Sequence, residues 1–171
     1  YIDEKALYKT FGEEKRWGKL MEISYVSDLN RRIDEGKIKE LIQISEALHE
    51  RKIVEIADMI TKQKKRIILI AGPSSSGKTT FAQRLCIQLR VHGLKPLYLG
   101  TDDYFVEREQ TPTDEFGEKD YENLNAVDID LFNDNMNDLL AGKEVDLPVF
   151  NFLTGHKEFG TKKTRIKATQ P

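Results

Sequence analysis

One cysteine is too few for an internal disulfide, and Cys86 falls inside an apolar helical pattern, so a disulfide-stapled fold is excluded and the thiol is expected in the core. No stretch approaches the eighteen or so consecutive apolar residues of a membrane span. The opening residues, YIDEKALYKT, also lack the basic-then-apolar pattern of a signal peptide, so no membrane association and a cytoplasmic location are expected. A net charge of −2 gives no global reason for a nucleic-acid partner. No internal repeat or low-complexity linker is present, and the chain begins without a Met. What is there is 171 residues, 39% of them hydrophobic, enough for one domain or one and a half with an ordinary core.

Charge is unevenly spread along the chain. From Asp102 to Asp130 acids dominate, with Arg108 and Lys119 the only bases, whereas Lys157, Lys162, Lys163, Arg165 and Lys167 make the last stretch basic. Such blocks are ordinarily solvated faces. In residues 1–35, the alternation LMEISYV (Leu20 to Val26) reads as a strand, and Ser27 or Asp28 is placed to cap a short helix after it. From Lys37 to about Thr61, apolar residues recur with the spacing of one helix face, predicting a long helix with a candidate break near His49 to Arg51. Residues 1–35 are therefore read as the tail of a preceding domain or a linker, 36–63 as a connecting helix, and 64–171 as the amino-terminal portion of an α/β domain.

That last region begins with RIILIA (Arg66 to Ala71), short, β-rich and apolar, the pattern of a strand buried on both faces. A glycine-rich loop follows at once. TTFAQRLCIQLRVHG then reads as a helix closed by Gly93, and KPLYLG as a second buried strand. Strand, helix and strand in this order predict a right-handed crossover and a parallel pair. Asp128 is placed to cap a further helix that ends before Gly142, and DLPVFNF is an extended segment.

The loop itself, Gly72-Pro73-Ser74-Ser75-Ser76-Gly77-Lys78-Thr79, matches G-x-x-x-x-G-K-[ST] after a strand pattern and before a helix pattern. Glycines let successive backbone N–H groups face one point, and the helix N-terminus adds partial positive charge there. Gly72, Ser74, Ser75, Ser76, Gly77, Lys78, Thr79 and Thr80 are thus candidates to cradle a polyphosphate. Lys78 brings full charge to the β- and γ-phosphates, and the Thr79 hydroxyl is placed to ligate Mg²⁺. Beyond the second strand pattern, TDDYF sets Asp102 and Asp103 where ligands gather in open α/β sheets. A carboxylate there is suited to accept a hydroxyl proton or to hold the metal through water, although an acidic turn or helix cap fits the residues too.

These blocks, GPSSSGKTTFAQRL, TDDYF and YENLNAVDIDLF…LLAGKEVDLPVFNF, resemble the uridine kinase and phosphoribulokinase family of P-loop kinases over about Lys65 to Lys157. The resemblance implies a parallel sheet flanked by helices, incomplete in this chain and preceded by a helical segment. It implies transfer of the ATP γ-phosphate, with Mg²⁺, to a nucleoside or sugar hydroxyl, and a homo-oligomeric assembly. Asp102 and Lys78 correspond to catalytic positions. Asp103 and Tyr104, then Tyr121 and Glu122, and finally Phe150 and Phe152 correspond to positions around the acceptor; Glu122 stands where the family usually has aspartate.

Departures from the family pattern bear on substrate choice. Phe150 and Asn151 replace a typical tyrosine and aspartate, removing a hydroxyl and a charge, and His156 falls one position after the family's base-recognising histidine. Because a site built to hydrogen-bond a group rejects analogues lacking it, these changes bear against uridine itself. FGEEKRWGKLMEISYVSDLNRRI, with the segment after it, resembles the region preceding the kinase domain in long bacterial nucleoside kinases with threonyl-tRNA-synthetase-like amino-terminal domains, which would make this chain an internal piece. Two other readings stand beside a nucleoside kinase: a phosphoribulokinase-like sugar-phosphate kinase, and a nucleotide-binding regulatory module linked to tRNA or translation. KQKKR and KKTRIK are the only basic clusters that would favour nucleic acid, and the first is more simply a helix C-terminal charge bias.

Overall fold

The computed structural model describes residues 5–73, 75–167 and 170–171. They divide into two compact units meeting between Met59 and Ile60. The first is helical: α1 (Lys5–Met21), α2 (Val26–Asp34) and most of α3 (Ile38–Gln63). The alternation of LMEISYV forms no strand. Its first residues close α1, where Ile23 N–H donates back to the Gly18 carbonyl at 2.8 Å and Glu22 turns left-handed at φ 55°. That closure needs a glycine, since a Cβ at position 18 would stand 2.8 Å from the Ile23 oxygen. Asp28 accepts from Ser24 and Tyr25 N–H at 3.0 Å each, bracing the start of α2. The long helix α3 runs without a break at His49 to Arg51, with Ile53 and Ala57 fully buried and Lys52 reaching both carboxylate oxygens of Glu13 at 2.7 Å.

The second unit contains α4 (Lys78–Val91), α5 (Ile129–Leu140) and an antiparallel hairpin of β1 (Val145–Asn151) and β2 (His156–Thr164). Leu85 and Leu89 are the buried stripe of α4, and His92 and Gly93, at φ 78°, end it. Asp128 caps α5 as its position predicts, its carboxylate accepting from Leu131 N–H at 3.1 Å. Pro148 interrupts the β1–β2 register between Leu147 and Val149, because proline has no N–H to give the ladder. The basic end of the chain is in part this second strand. Alternation along β2 and its continuation turns Lys162, Thr164 and Ile166 toward the protein and Lys163, Arg165 and Lys167 outward.

The expected parallel pair is a correction. Segments 66–71 and 96–100 are irregular, and the sheet among the described residues is the two-stranded hairpin alone. Both segments line one cavity of about 300 Å³, and although Leu97 N–H donates to Pro171 O at 3.2 Å, no ladder joins the two segments to each other. RIILIA is accordingly not buried on both faces: Ile67 and Leu69 are exposed, Leu69 to 84%. From KPLYLG, the half-buried Leu97 and Leu99 pack on the cluster of Leu139, Val145, Leu147 and Ile166. No described helix is long and apolar enough to cross a membrane.

Candidate active site

The glycine-rich loop has the backbone its sequence calls for. Ser75 and Gly77 take left-handed φ values of 58° and 85°, and Ser76 N–H donates to Pro73 O at 3.3 Å. Alternating handedness of this kind turns consecutive N–H groups inward, making an anion-binding concavity. Gly77 caps α4 without any side-chain acceptor, so the first-turn amides are left facing the loop. Lys78 arches over the loop, its ammonium donating to Pro73 O at 2.7 Å. Gly72 makes room for that arch: a Cβ there would meet Ser76 Oγ at 2.9 Å and Lys78 Cγ at 3.5 Å. A cradle of amides, one mobile ammonium and the Thr79 hydroxyl fits a polyphosphate with a bound Mg²⁺, the hydroxyl being the loop's hard-oxygen ligand. Ser74, also expected in this cradle, lies outside the described residues. Thr80 is exposed in the first turn of α4.

Asp102 lines the same cavity as Lys78 and Thr79. It lies in a 3-10 turn, Thr101–Tyr104, fixed by backbone bonds from Asp128 N–H to Tyr104 O at 2.7 Å and from Val106 N–H to Ala126 O at 2.8 Å. Tyr104 anchors the turn from below. Its ring packs edge-on against Phe132, and its hydroxyl accepts from Asn135 Nδ2 at 3.2 Å. Burial, helped by the neighbouring Asp103 carboxylate, raises the Tyr104 pKa against the opposing Asn135 bond. Tyr104 therefore supports the turn from the core, while Asp102 is exposed and Asp103 half-buried. Lys162 approaches Asp103, Nζ to Oδ2 3.7 Å.

The aromatic positions assemble next to this turn. Phe105 meets Tyr121 at 5.0 Å, Phe150 at 5.7 Å and Phe152 at 6.2 Å between ring centroids, all edge-to-face. Phe105 and Phe150 are buried with Ala126, whereas Phe152 is 58% exposed. Glu122 is exposed, its own N–H held by the Asp120 carboxylate at 3.0 Å. His156 stands at the head of β2 with Nδ1 2.7 Å from Glu107 Oε2. Lys157 pairs with Asp128. Burial pushes the Asp128 carboxyl up, but Lys157 and the Leu131 amide more than offset it, leaving the pKa below the ordinary value of 3.8. Among the described residues no cluster of three or more His, Cys, Asp or Glu forms a ready metal site.

Comparison with known proteins decides between the families such a loop serves: the model of the phosphoribulokinase/uridine kinase family matches residues 67–169. The chain belongs to the phosphoribulokinase/uridine kinase family. Within it, the chain is 30% identical over 114 residues to a uridine kinase of Ligilactobacillus salivarius, covering 66% of this chain and 50% of that one. It is 36% identical over 86 residues to a uridine kinase of Staphylococcus aureus, covering 50% and 41%, and 33% identical over 86 residues to uridine-cytidine kinase C of Dictyostelium discoideum, covering 50% and 17%. The chain thus spans at most about half the length of these curated relatives. No solved structure matches it.

Sequence reasoning passed over Glu107, Arg108, Asn135 and Lys162. Alternation of the basic stretch would have singled out Lys162, had it been read as a strand. Nothing local marks Glu107 or Arg108, whose partners lie more than forty residues away, at the head of β2 and in the loop after β1.

Proposed function

We propose that this phosphoribulokinase/uridine kinase family member is an ATP- and Mg²⁺-dependent kinase that phosphorylates the hydroxyl of a nucleoside or a related sugar compound. The observation that carries this reading is the convergence of Lys78, Thr79 and Asp102 on one cavity, with an aromatic cluster beside the turn that holds Asp102. The amides of 75–79 and Lys78 bind and orient the polyphosphate, and bound Mg²⁺ supplies charge neutralisation through Thr79. Asp102 takes the proton from the acceptor hydroxyl as its oxygen bonds to the γ-phosphorus. The bond from that phosphorus to the bridging oxygen breaks, and ADP leaves with the electron pair. Phe152 and Tyr121, backed by the buried Phe150, line the face on which a planar base stacks, and Glu122 is placed for sugar hydroxyls.

The test is ADP release from Mg-ATP against a panel of nucleosides and sugar phosphates, with the Asp102→Asn protein in parallel. Acceptor-dependent release falling by about 10²-fold or more in the variant is expected, the scale of a lost general base. Nucleotide binding without acceptor-dependent release from either protein would replace this reading with a regulatory nucleotide-binding module.

A further inference from the structure

Phe152 is an exposed ring that does not float. Its own carbonyl accepts a hydrogen bond from the Arg108 guanidinium, and three residues later Gly155 O accepts from Arg108 N–H at 2.9 Å. Arg108 lies flat across Gly155: a Cβ on that glycine would stand 2.7 Å from both Arg108 Cβ and Arg108 Nε, and its φ of +81° already suits glycine alone. The neighbouring Glu107 adds a second strap, one carboxylate oxygen 2.7 Å from His156 Nδ1 and the other 3.4 Å from Lys157 N–H. Asn151 closes the loop from within, its Oδ1 accepting from Leu153 and Thr154 N–H at 3.0 and 3.2 Å. The segment after Phe105 therefore grips the β1–β2 loop through both backbone and side chain, at the place where Phe152 overhangs Phe105 and Phe150. Holding a large apolar ring half in water has no packing benefit in proportion to so many bonds. It does make a preformed stacking face, since ordering that loop before binding removes an entropy cost from the binding step.

We propose that Arg108 is a positioning residue that clasps the 152–156 loop and so sets Phe152 as the wall on which a planar, uncharged acceptor stacks. This rests on the kinase reading given above for the acceptor site. With its guanidinium engaged by a backbone carbonyl, Arg108 is committed to the loop, and its effect on the reaction runs through Phe152. His156 likewise serves the clasp through Glu107.

The experiment measures steady-state constants for uridine and for ATP in the intact protein bearing Arg108→Met, Arg108→Lys or Gly155→Ala. Arg108→Met keeps the aliphatic stem and removes the donors. Arg108→Lys restores a cationic donor, and Gly155→Ala leaves Arg108 in place but denies it the seat. The expected result is a uridine KM raised about tenfold by Arg108→Met and by Gly155→Ala, not compounded when the two are combined, substantially recovered in Arg108→Lys, and with the KM for ATP unchanged. A uridine KM equal to wild type in both Arg108→Met and Gly155→Ala overturns the proposal, as does a matching rise in the KM for ATP.

A second readout separates this inference from the kinase reading. With 4-fluorophenylalanine at position 152, the ¹⁹F resonance should shift and broaden in Arg108→Met and Gly155→Ala relative to the parent. If wild-type protein releases no ADP with uridine, the kinase reading fails on that acceptor while the resonance still decides the clasp: an unmoved signal in both variants overturns it.

Discussion

Tyr104 and Asn135 form a buried polar pair in the core beneath the candidate base, and their bond is the kind that costs more to break on one side than to delete on both. Tyr104→Phe leaves the Asn135 amide without its acceptor and should cost about 1–3 kcal/mol by chemical denaturation. Adding Asn135→Leu to that variant should return part of the loss, because both polar partners are then gone. The glycine-rich loop was legible at this scale because its requirements are local: Gly72 and Gly77 are where the chain needs space and a left-handed turn, and the structure uses them so. His156 was not legible in the same way. Its spacing from the β1 aromatics is visible in the sequence, but the carboxylate that holds it belongs to Glu107, forty-nine positions earlier.

Among the elements, α5 depends on the residue that caps it. Asp128 accepts from Leu131 N–H, pairs with Lys157 on β2, and donates its own N–H to Tyr104 O, so one side chain and its amide join helix, strand and the 101–104 turn. Asp128→Ala should cost about 1 kcal/mol for the cap alone, read as a lowered denaturation midpoint. Because the folded pKa of Asp128 is depressed, its contribution is present above the ordinary carboxylate value and is lost as pH falls through the lower folded value. Lys157→Met should therefore flatten the decline in Tm measured on acidifying below about pH 4. The cap and the glycine after α5 were legible because capping is a contract between near neighbours. The strands were not: RIILIA and KPLYLG carry the composition of buried strands, but a strand exists only with a partner at ladder distance, and the hairpin formed instead between DLPVFNF and the basic stretch whose alternation was hidden by its charge.

At the scale of the molecule, apolar side chains such as Ile67 and Leu69 stand in solvent, with a net charge of only −2 to keep copies apart. Leu69→Lys should leave the denaturation midpoint of the 171-residue chain within about 0.5 kcal/mol, since the side chain is already exposed, while lowering light scattering at high protein concentration. The backbone tells the same story on a clock. Ile67 to Ala71 make no backbone hydrogen bonds to other described residues, whereas β1 and β2 share a ladder. In heavy water, the amides leading into the glycine-rich loop should take up deuterium at nearly the rate of an unstructured peptide while those between β1 and β2 hold their protons far longer, so the approach to Lys78 opens on a faster clock than the hairpin of the same unit.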